Sequence, residues 1–96
     1  MDSDYTYSVE GETILIIDKN IGGRSVTNNI SNVLKDISYK EGIDPKIYNI
    51  AYKDSMGNWD GVLLSNNGMA SFYPIRKNNE NDVIEYFKTR NLNSKT

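Results

Sequence analysis

The sequence predicts one α+β domain: a mixed, mostly antiparallel sheet of four or five strands with a long helix packed on one face and a short C-terminal helix. Helical and β-type segments follow one another in the order β(β)αβββα. The long helical segment separates two strands, and this spacing fits a right-handed crossover that makes those strands parallel. The other connections are short enough for antiparallel hairpins.

The length and composition indicate a single folded domain. A chain of 96 residues has room for one core. Apolar residues make up 38% of it and charged residues 25%, a balance too apolar for a disordered chain. We expect residues 1–96 to form one domain, with 1–4 and 91–96 as flexible tails. Because cysteine is absent, the core must stabilise the fold without disulfides.

The first half of the chain predicts a strand pair and the long helix. Residues 5–9 alternate weakly, and residues 13–17 form a continuous aliphatic run typical of a central strand. The apolar positions that follow recur at helical spacing, at Val26, Ile30, Val33, Leu34 and Ile37. We expect Ser25 to cap this helix and Gly42 to end it in the left-handed conformation.

The second half predicts a three-stranded meander. Strands are expected at 46–53, 59–64 and 69–73. Asp54 and Asn58 are expected to cap amides in the first hairpin loop, and Asn67-Gly68 to form a type I′ turn in the second. Pro74 closes the last strand or marks its exposed edge.

A short helix is predicted at the C-terminal end. Asn81 can cap a segment from Asp82 to about Arg90, with its acidic residues early and its basic residues late, as the helix dipole prefers. Three apolar side chains would face the core, those of Val83, Ile84 and Phe87.

The composition argues against catalysis. Histidine and cysteine are both absent, which removes the commonest general base, the commonest metal ligands and the thiolate nucleophile. We therefore expect no enzyme activity, no cofactor and no metal. Among the carboxylates, Asp18 is the best-placed acid because it ends the central strand beside the helix start. A lone carboxylate at such a position is more often a turn former, and this is the role that we expect.

The expected location is the cytoplasm, without a membrane partner. The N-terminus is acidic where a secretory signal would be basic and then apolar, and the longest aliphatic run, Ile14 to Ile17, is too short to cross a bilayer. The net charge of −2 also makes nucleic acid an unlikely partner, since phosphate binding usually needs a basic face.

The first candidate site is the segment Gly22, Gly23, Arg24 and Ser25 at the helix start. Two glycines let a ligand approach the backbone, and free amides at a helix N-terminus attract anions. Arg24 adds a charged fork for a phosphate or carboxylate. A small anionic ligand such as a nucleotide is one interpretation, and a simple tight turn is the other, because the segment matches neither common phosphate-binding motif.

The second candidate site is the hairpin that carries Trp59 and Asp60. Trp59 is the only tryptophan, and tryptophan is enriched at binding hot spots but also anchors small cores. Both roles remain open from the sequence. A third, weaker interpretation is a stacking platform for single-stranded nucleic acid, formed by the aromatic residues of the meander, Tyr48, Tyr52, Phe72 and Tyr73. The alternative is that these aromatic side chains belong to the core.

The leading hypothesis is a small non-enzymatic binding protein, such as a phage-encoded or accessory inhibitor or adaptor that acts on a host protein. Abundant Asn, Lys, Ile and Tyr indicate AT-rich coding, which low-GC bacteria and their phages share. The expected binding patch joins Arg24 to Trp59 and Asp60. The chain is expected to be a monomer or a homodimer, the latter through an edge strand such as residues 69–73.

Overall fold

The fold is a five-stranded sheet with two helices, seen in a computed structural model that describes residues 5–19 and 30–88. The strands are β1 (Tyr5–Glu10), β2 (Thr13–Asp18), β3 (Asn49–Lys53), β4 (Trp59–Leu64) and β5 (Ala70–Pro74). The helices are α1 (Ile30–Glu41) and α2 (Glu80–Lys88), and a 3-10 helix occupies Pro45–Ile47. The predicted α+β class and element order are confirmed.

The strands lie in the sheet in the order in which they occur along the chain, β1-β2-β3-β4-β5. Strands β2 and β3 are parallel, as the predicted crossover requires, and every other neighbouring pair is antiparallel. Strands β1 and β5 are therefore the two edges of the sheet.

Helices α1 and α2 cover opposite faces of the sheet. Because successive side chains of a strand point to opposite faces, Ile14 and Ile16 of β2 pack in the cluster that contains α1, while Leu15 packs in the cluster that contains α2. The aliphatic run of β2 is thus buried on both sides. The molecule has three layers in the described part of the chain, with a separate core on each face.

Helix α1 ends as the sequence predicts. Gly42 adopts a φ of 66°, and its amide donates to the Ser38 carbonyl oxygen at 2.8 Å. Val33, Leu34 and Ile37 are buried on the sheet side. The predicted cap, Ser25, and the first apolar position, Val26, lie outside the described residues.

Two tyrosines attach the edge strand β1 to α1. The Tyr5 hydroxyl donates to an Asp36 carboxylate oxygen at 2.5 Å, and the Tyr7 hydroxyl donates to Glu41 at 2.6 Å. Burial, and then the bond to Asp36, raises the pKa of Tyr5 above its ordinary value. The bond to Glu41 raises the pKa of Tyr7 in the same direction. Both phenols therefore stay protonated donors at neutral pH.

Two predicted element starts were wrong. The third strand begins at Asn49 rather than at residue 46, because an Asp44 carboxylate oxygen accepts from the Lys46 amide at 3.0 Å and starts the 3-10 helix instead. Helix α2 begins at Glu80 and is capped by Asn79, not by Asn81. The last predicted helical position, 90, lies outside the described residues.

The cap of α2 is reciprocal. An oxygen of the Asn79 side chain accepts from the Asp82 amide at 3.0 Å, and the Asn79 carboxamide nitrogen donates to the Asp82 carboxylate at 3.2 Å. Asn79 has an acid three residues later, the spacing of a capping box. Asn81 has no acid at that spacing, since residue 84 is isoleucine.

The two hairpins of the meander share one turn geometry. In each, the amide of a left-handed glycine donates to a carbonyl three residues earlier: Gly57 to Asp54 at 3.0 Å, and Gly68 to Ser65 at 3.0 Å. In both hairpins the glycine is the fourth residue of the turn and forms a bulge. The predicted two-residue type I′ turn was therefore wrong. The predicted capping role of Asp54 is confirmed, because its carboxylate accepts from two backbone amides of the loop.

Candidate functional site

The residues predicted as a binding patch fall in two classes. Gly22, Gly23, Arg24 and Ser25 lie outside the described residues, and whether they bind a ligand stays a prediction. Trp59 and Asp60 are described, and they are adjacent residues of β4 whose side chains point to opposite faces of the sheet.

Trp59 is part of the core on the α2 side. Its side chain is 2% exposed and packs in a cluster with Ile75, Val83 and Phe87. The Lys53 amine lies 5.9 Å from the centre of its ring, within the range of a cation–π contact. The structure thus places the ring where the core-anchor interpretation expects it. A role in partner contact stays a prediction.

The indole nitrogen of Trp59 is buried without a hydrogen-bond partner in the described part of the chain. A buried donor without a partner costs about 1–3 kcal/mol. The packing of the ring must therefore more than offset this cost at the centre of the α2-side core.

Asp60 lies on the α1 side, directly opposite Tyr52 in the β3–β4 register. Burial, followed by the charge of Asp54, raises the pKa of Asp60 above its ordinary value. The carboxylate is only partly buried. The ionised form of the Asp60 carboxyl is therefore less stable than that of a solvated carboxyl. Protonation, or a positive charge nearby, would relieve this cost.

Asp18 is buried beside Tyr52 rather than exposed in a turn. The carboxylate is 5% exposed, and the buried Tyr52 hydroxyl donates to it at 2.5 Å. The pair joins the carboxyl end of β2 to β3, beneath the α1 layer. A short bond from a phenol stabilises a buried carboxylate, so the pair holds the two parallel strands together at this end.

The aromatic residues of the meander do not form one exposed platform. Tyr52 is 1% exposed, and its ring lies edge-on to that of Phe72, with 5.9 Å between their centres. Tyr73 lies on the other face of the sheet, in the cluster that contains Trp59. This arrangement matches the core interpretation for Tyr52. Tyr73 lies on the opposite face of the sheet, so the two rings cannot belong to one platform.

A groove that the sequence did not predict opens between α1 and the β4–β5 hairpin. Its volume is about 550 Å³. Helix α1 forms one wall, the β4–β5 turn forms the opposite wall, and the segment around the 3-10 helix closes one side. The lining residues used below are Leu34, Lys35, Tyr39, Lys46, Leu64 and Asn66.

The floor of the groove is apolar and its wall carries an exposed aromatic ring. Leu34 of α1 is 2% exposed, and Leu64 of β4 packs against the same core. Tyr39 is 89% exposed, the largest exposure among the large hydrophobic side chains of the described residues. The Ser31 hydroxyl donates to the Gly68 carbonyl oxygen at 3.0 Å and fixes the turn against the helix. This hydrogen bond connects the two walls of the groove, α1 and the β4–β5 turn.

The sequence did not predict Tyr39 as a site residue, because it lies outside the apolar stripe of α1. The stripe predicts which residues face the sheet, and Tyr39 follows Ile37 by two positions, on another side of the helix. The available signal was a large aromatic residue on the polar side of an amphipathic helix.

A second cavity of about 510 Å³ lies at the other end of β4, beside the β3–β4 hairpin. The residues that line it include Trp59 and charged residues of both signs, Asp54, Asp60, Arg76 and Lys77. This cavity corresponds to the described half of the predicted patch.

In the described part of the chain, no three metal-ligating side chains come together. No helix within residues 5–19 and 30–88 is long and apolar enough to span a membrane. No family model, curated protein or solved structure matches the chain.

Proposed function

We propose that this chain is a small non-enzymatic binding protein that acts on another protein through the groove between α1 and the β4–β5 hairpin. The observation that carries this proposal is Tyr39, which is 89% exposed beside an apolar floor. A single exposed hydrophobic residue needs no explanation, but an aromatic residue at the rim of a preformed apolar groove is typical of a binding surface.

Both the shape and the composition of the groove are suited to binding a protein. Tyrosine offers a large, rigid contact area and loses little conformational entropy on binding. Leu34 and Leu64 supply an apolar floor, and full burial of one aliphatic side chain from a partner contributes roughly 1.5–3 kcal/mol. The bond from Ser31 to Gly68 links the two walls, and contacts that form before binding lower the ordering cost of association.

A protein partner is also what the inhibitor or adaptor role expected from the sequence requires. Such a protein needs a rigid scaffold and one binding surface, and the three-layer fold presents the groove on a scaffold with two cores. The AT-rich coding bias supports a source among low-GC bacteria or their phages, with a host protein as the target.

The test is affinity capture from a lysate of the cells in which the gene is expressed, with three forms of the protein. The forms are the wild type, Tyr39→Ala and Met56→Ala. Met56 is the matched control, because its side chain is 83% exposed on the β3–β4 turn, outside the groove. We expect the wild type and Met56→Ala to retain the same protein in stoichiometric amount, and Tyr39→Ala to lose it.

Circular dichroism and a urea midpoint for each form would show that the variants are folded. Retention of the same partner by Tyr39→Ala at wild-type affinity would contradict a role for the groove. Loss of the partner in Met56→Ala alone would move the binding surface to the predicted patch at the β3–β4 hairpin.

A further inference from the structure

We infer that the groove accepts an acidic segment of a partner protein, in which an apolar side chain is flanked by carboxylates. This inference rests on the proposed function and specifies the chemistry of the partner. It is carried by the charges at the rim of the groove, together with its apolar floor.

The cationic rim consists of Lys35 on α1 and Lys46 in the 3-10 helix, on two sides of the groove. Both residues are exposed, and neither makes an ion pair within the described part of the chain. By contrast, Lys40, one turn along the same helix, is paired with Asp36 at 3.1 Å. The two rim amines are thus available to a partner, whereas the neighbouring amine is already used.

Among the described residues that line the groove, Asp44 supplies the one carboxylate, and it has a local hydrogen-bond partner. An oxygen of Asp44 accepts from the Lys46 amide at 3.0 Å and caps the 3-10 helix. The described residues that line the groove therefore carry two positive charges, on Lys35 and Lys46, and one negative charge, on Asp44. In a chain of net charge −2, this is a local reversal of sign, and it favours a negatively charged occupant.

The apolar floor between these charges selects an apolar side chain. Leu34 and Leu64 lie at the base, and Tyr39 extends the apolar surface outward. A charged group placed on this floor would lose its hydration without gaining a partner. The carboxylates of an occupant therefore belong at the rim, beside Lys35 and Lys46, with the apolar side chain between them.

The turn at Asn66 supplies a polar group for the backbone of such a segment. Asn66 lines the groove and is exposed. Its carboxamide carries both a donor and an acceptor, so it can bond an amide and a carbonyl of an extended peptide. Leu64, Asn66 and Lys46 thus offer an apolar, a hydrogen-bonding and a charged contact within one groove.

The test is selection from a random library of sixteen-residue peptides displayed on phage, with the purified full-length protein as bait. We expect the enriched peptides to share Leu, Ile or Phe flanked by Asp or Glu. A synthetic copy of an enriched peptide should shift the amide NMR resonances of Lys35, Tyr39 and Lys46. The double variant Lys35→Glu/Lys46→Glu should weaken its binding at least tenfold.

The matched control is Arg76→Glu/Lys77→Glu, which makes the same charge change at two exposed residues of the second cavity. Its affinity for the peptide should stay within about twofold of wild type, since screening weakens the influence of distant exposed charges. Affinity for the peptide should also fall as salt is added.

The contrary outcomes separate this inference from the proposed function. Enriched peptides without acidic residues, or no enriched peptide at all, would overturn the inference. The same holds if Arg76→Glu/Lys77→Glu weakens binding and the groove variant does not. If affinity capture still depends on Tyr39 in any of these cases, the proposed function stands without the acidic partner; if capture also fails, both are wrong.

Discussion

The two faces of the sheet bury cores built from the same kinds of residue, but they leave different surfaces. On the α2 face, Trp59 packs in the cluster and is 2% exposed, and the cavity beside it is bordered mainly by polar and charged residues. On the α1 face, the helix covers the middle of the sheet, and a groove with an exposed Tyr39 opens where it meets the β4–β5 turn. On our proposal, the α2 face mainly stabilises the fold, whereas the α1 face also presents a binding surface.

The largest expected effect is on the α2 face. Trp59→Ala should lower the free energy of unfolding by about 3–5 kcal/mol, because it removes the largest side chain of that core and leaves a cavity. Urea denaturation followed by circular dichroism measures the loss. Trp59→Phe is the control: it keeps an aromatic ring, removes the unpartnered indole N–H, and should cost clearly less. A cost below 1 kcal/mol for Trp59→Ala would contradict a stabilising role.

Beneath α1, the expected effect on stability is smaller. Tyr52→Phe removes the hydroxyl that donates to the buried Asp18 carboxylate and should cost about 1–3 kcal/mol, as expected when a buried acceptor loses a bond. Equilibrium unfolding at neutral pH measures this cost. In an Asp18→Asn background, which removes the charge, the same Tyr52→Phe change should cost less. Equal costs in both backgrounds would show that the two groups are not coupled.

A close contact on the α2 face gives the next prediction. Gly61 pairs with Tyr73 across β4 and β5, and a Cβ at Gly61 would lie 2.0 Å from the Tyr73 ring. Gly61→Ala should therefore cost about 1 kcal/mol, the lower end of overpacking effects, because the ring end can swing aside. The expected loss is read from the urea midpoint. In a Tyr73→Ala background the cost should fall to nearly zero, and an unchanged cost would refute the contact.

The attachment of β1 to α1 predicts a pH dependence. The bond from Tyr5, and then that from Lys40, lowers the pKa of Asp36 below its ordinary value. A carboxyl whose pKa is lower in the folded state stabilises the fold above its unfolded pKa, near 4, and loses this contribution as the pH falls through the folded pKa. Urea midpoints at pH 7 and pH 3 should therefore differ less in Asp36→Asn than in wild type. An identical pH dependence in both would contradict this role.

The fold was predictable because its signals are local. The aliphatic run of β2 and the helical spacing of α1 each indicate burial and element type, and the length between β2 and β3 indicates the parallel crossover. One error lies in the type of the β4–β5 turn, and two lie at element starts, where several residues compete. Asn79 and Asn81 are both good caps, and only the acid at Asp82 gives Asn79 the reciprocal partner.

The candidate site was less predictable because it depends on tertiary contacts. The sequence marks Trp59 as notable but does not say that β4 turns its ring toward α2. The groove requires the β4–β5 turn to lie beside α1, where Ser31 bonds to Gly68 across 37 residues of sequence separation. Neither periodicity nor composition reports such a contact.

The most direct test of the binding surface is hydrogen exchange of the protein with and without its captured partner. We predict protection of backbone amides in α1, the 3-10 helix and the β4–β5 turn, with no change in the β3–β4 turn at residues 54–58. Protection confined to the β3–β4 turn and to residues 74–78, with the groove unchanged, would contradict the account and place the partner at the second cavity.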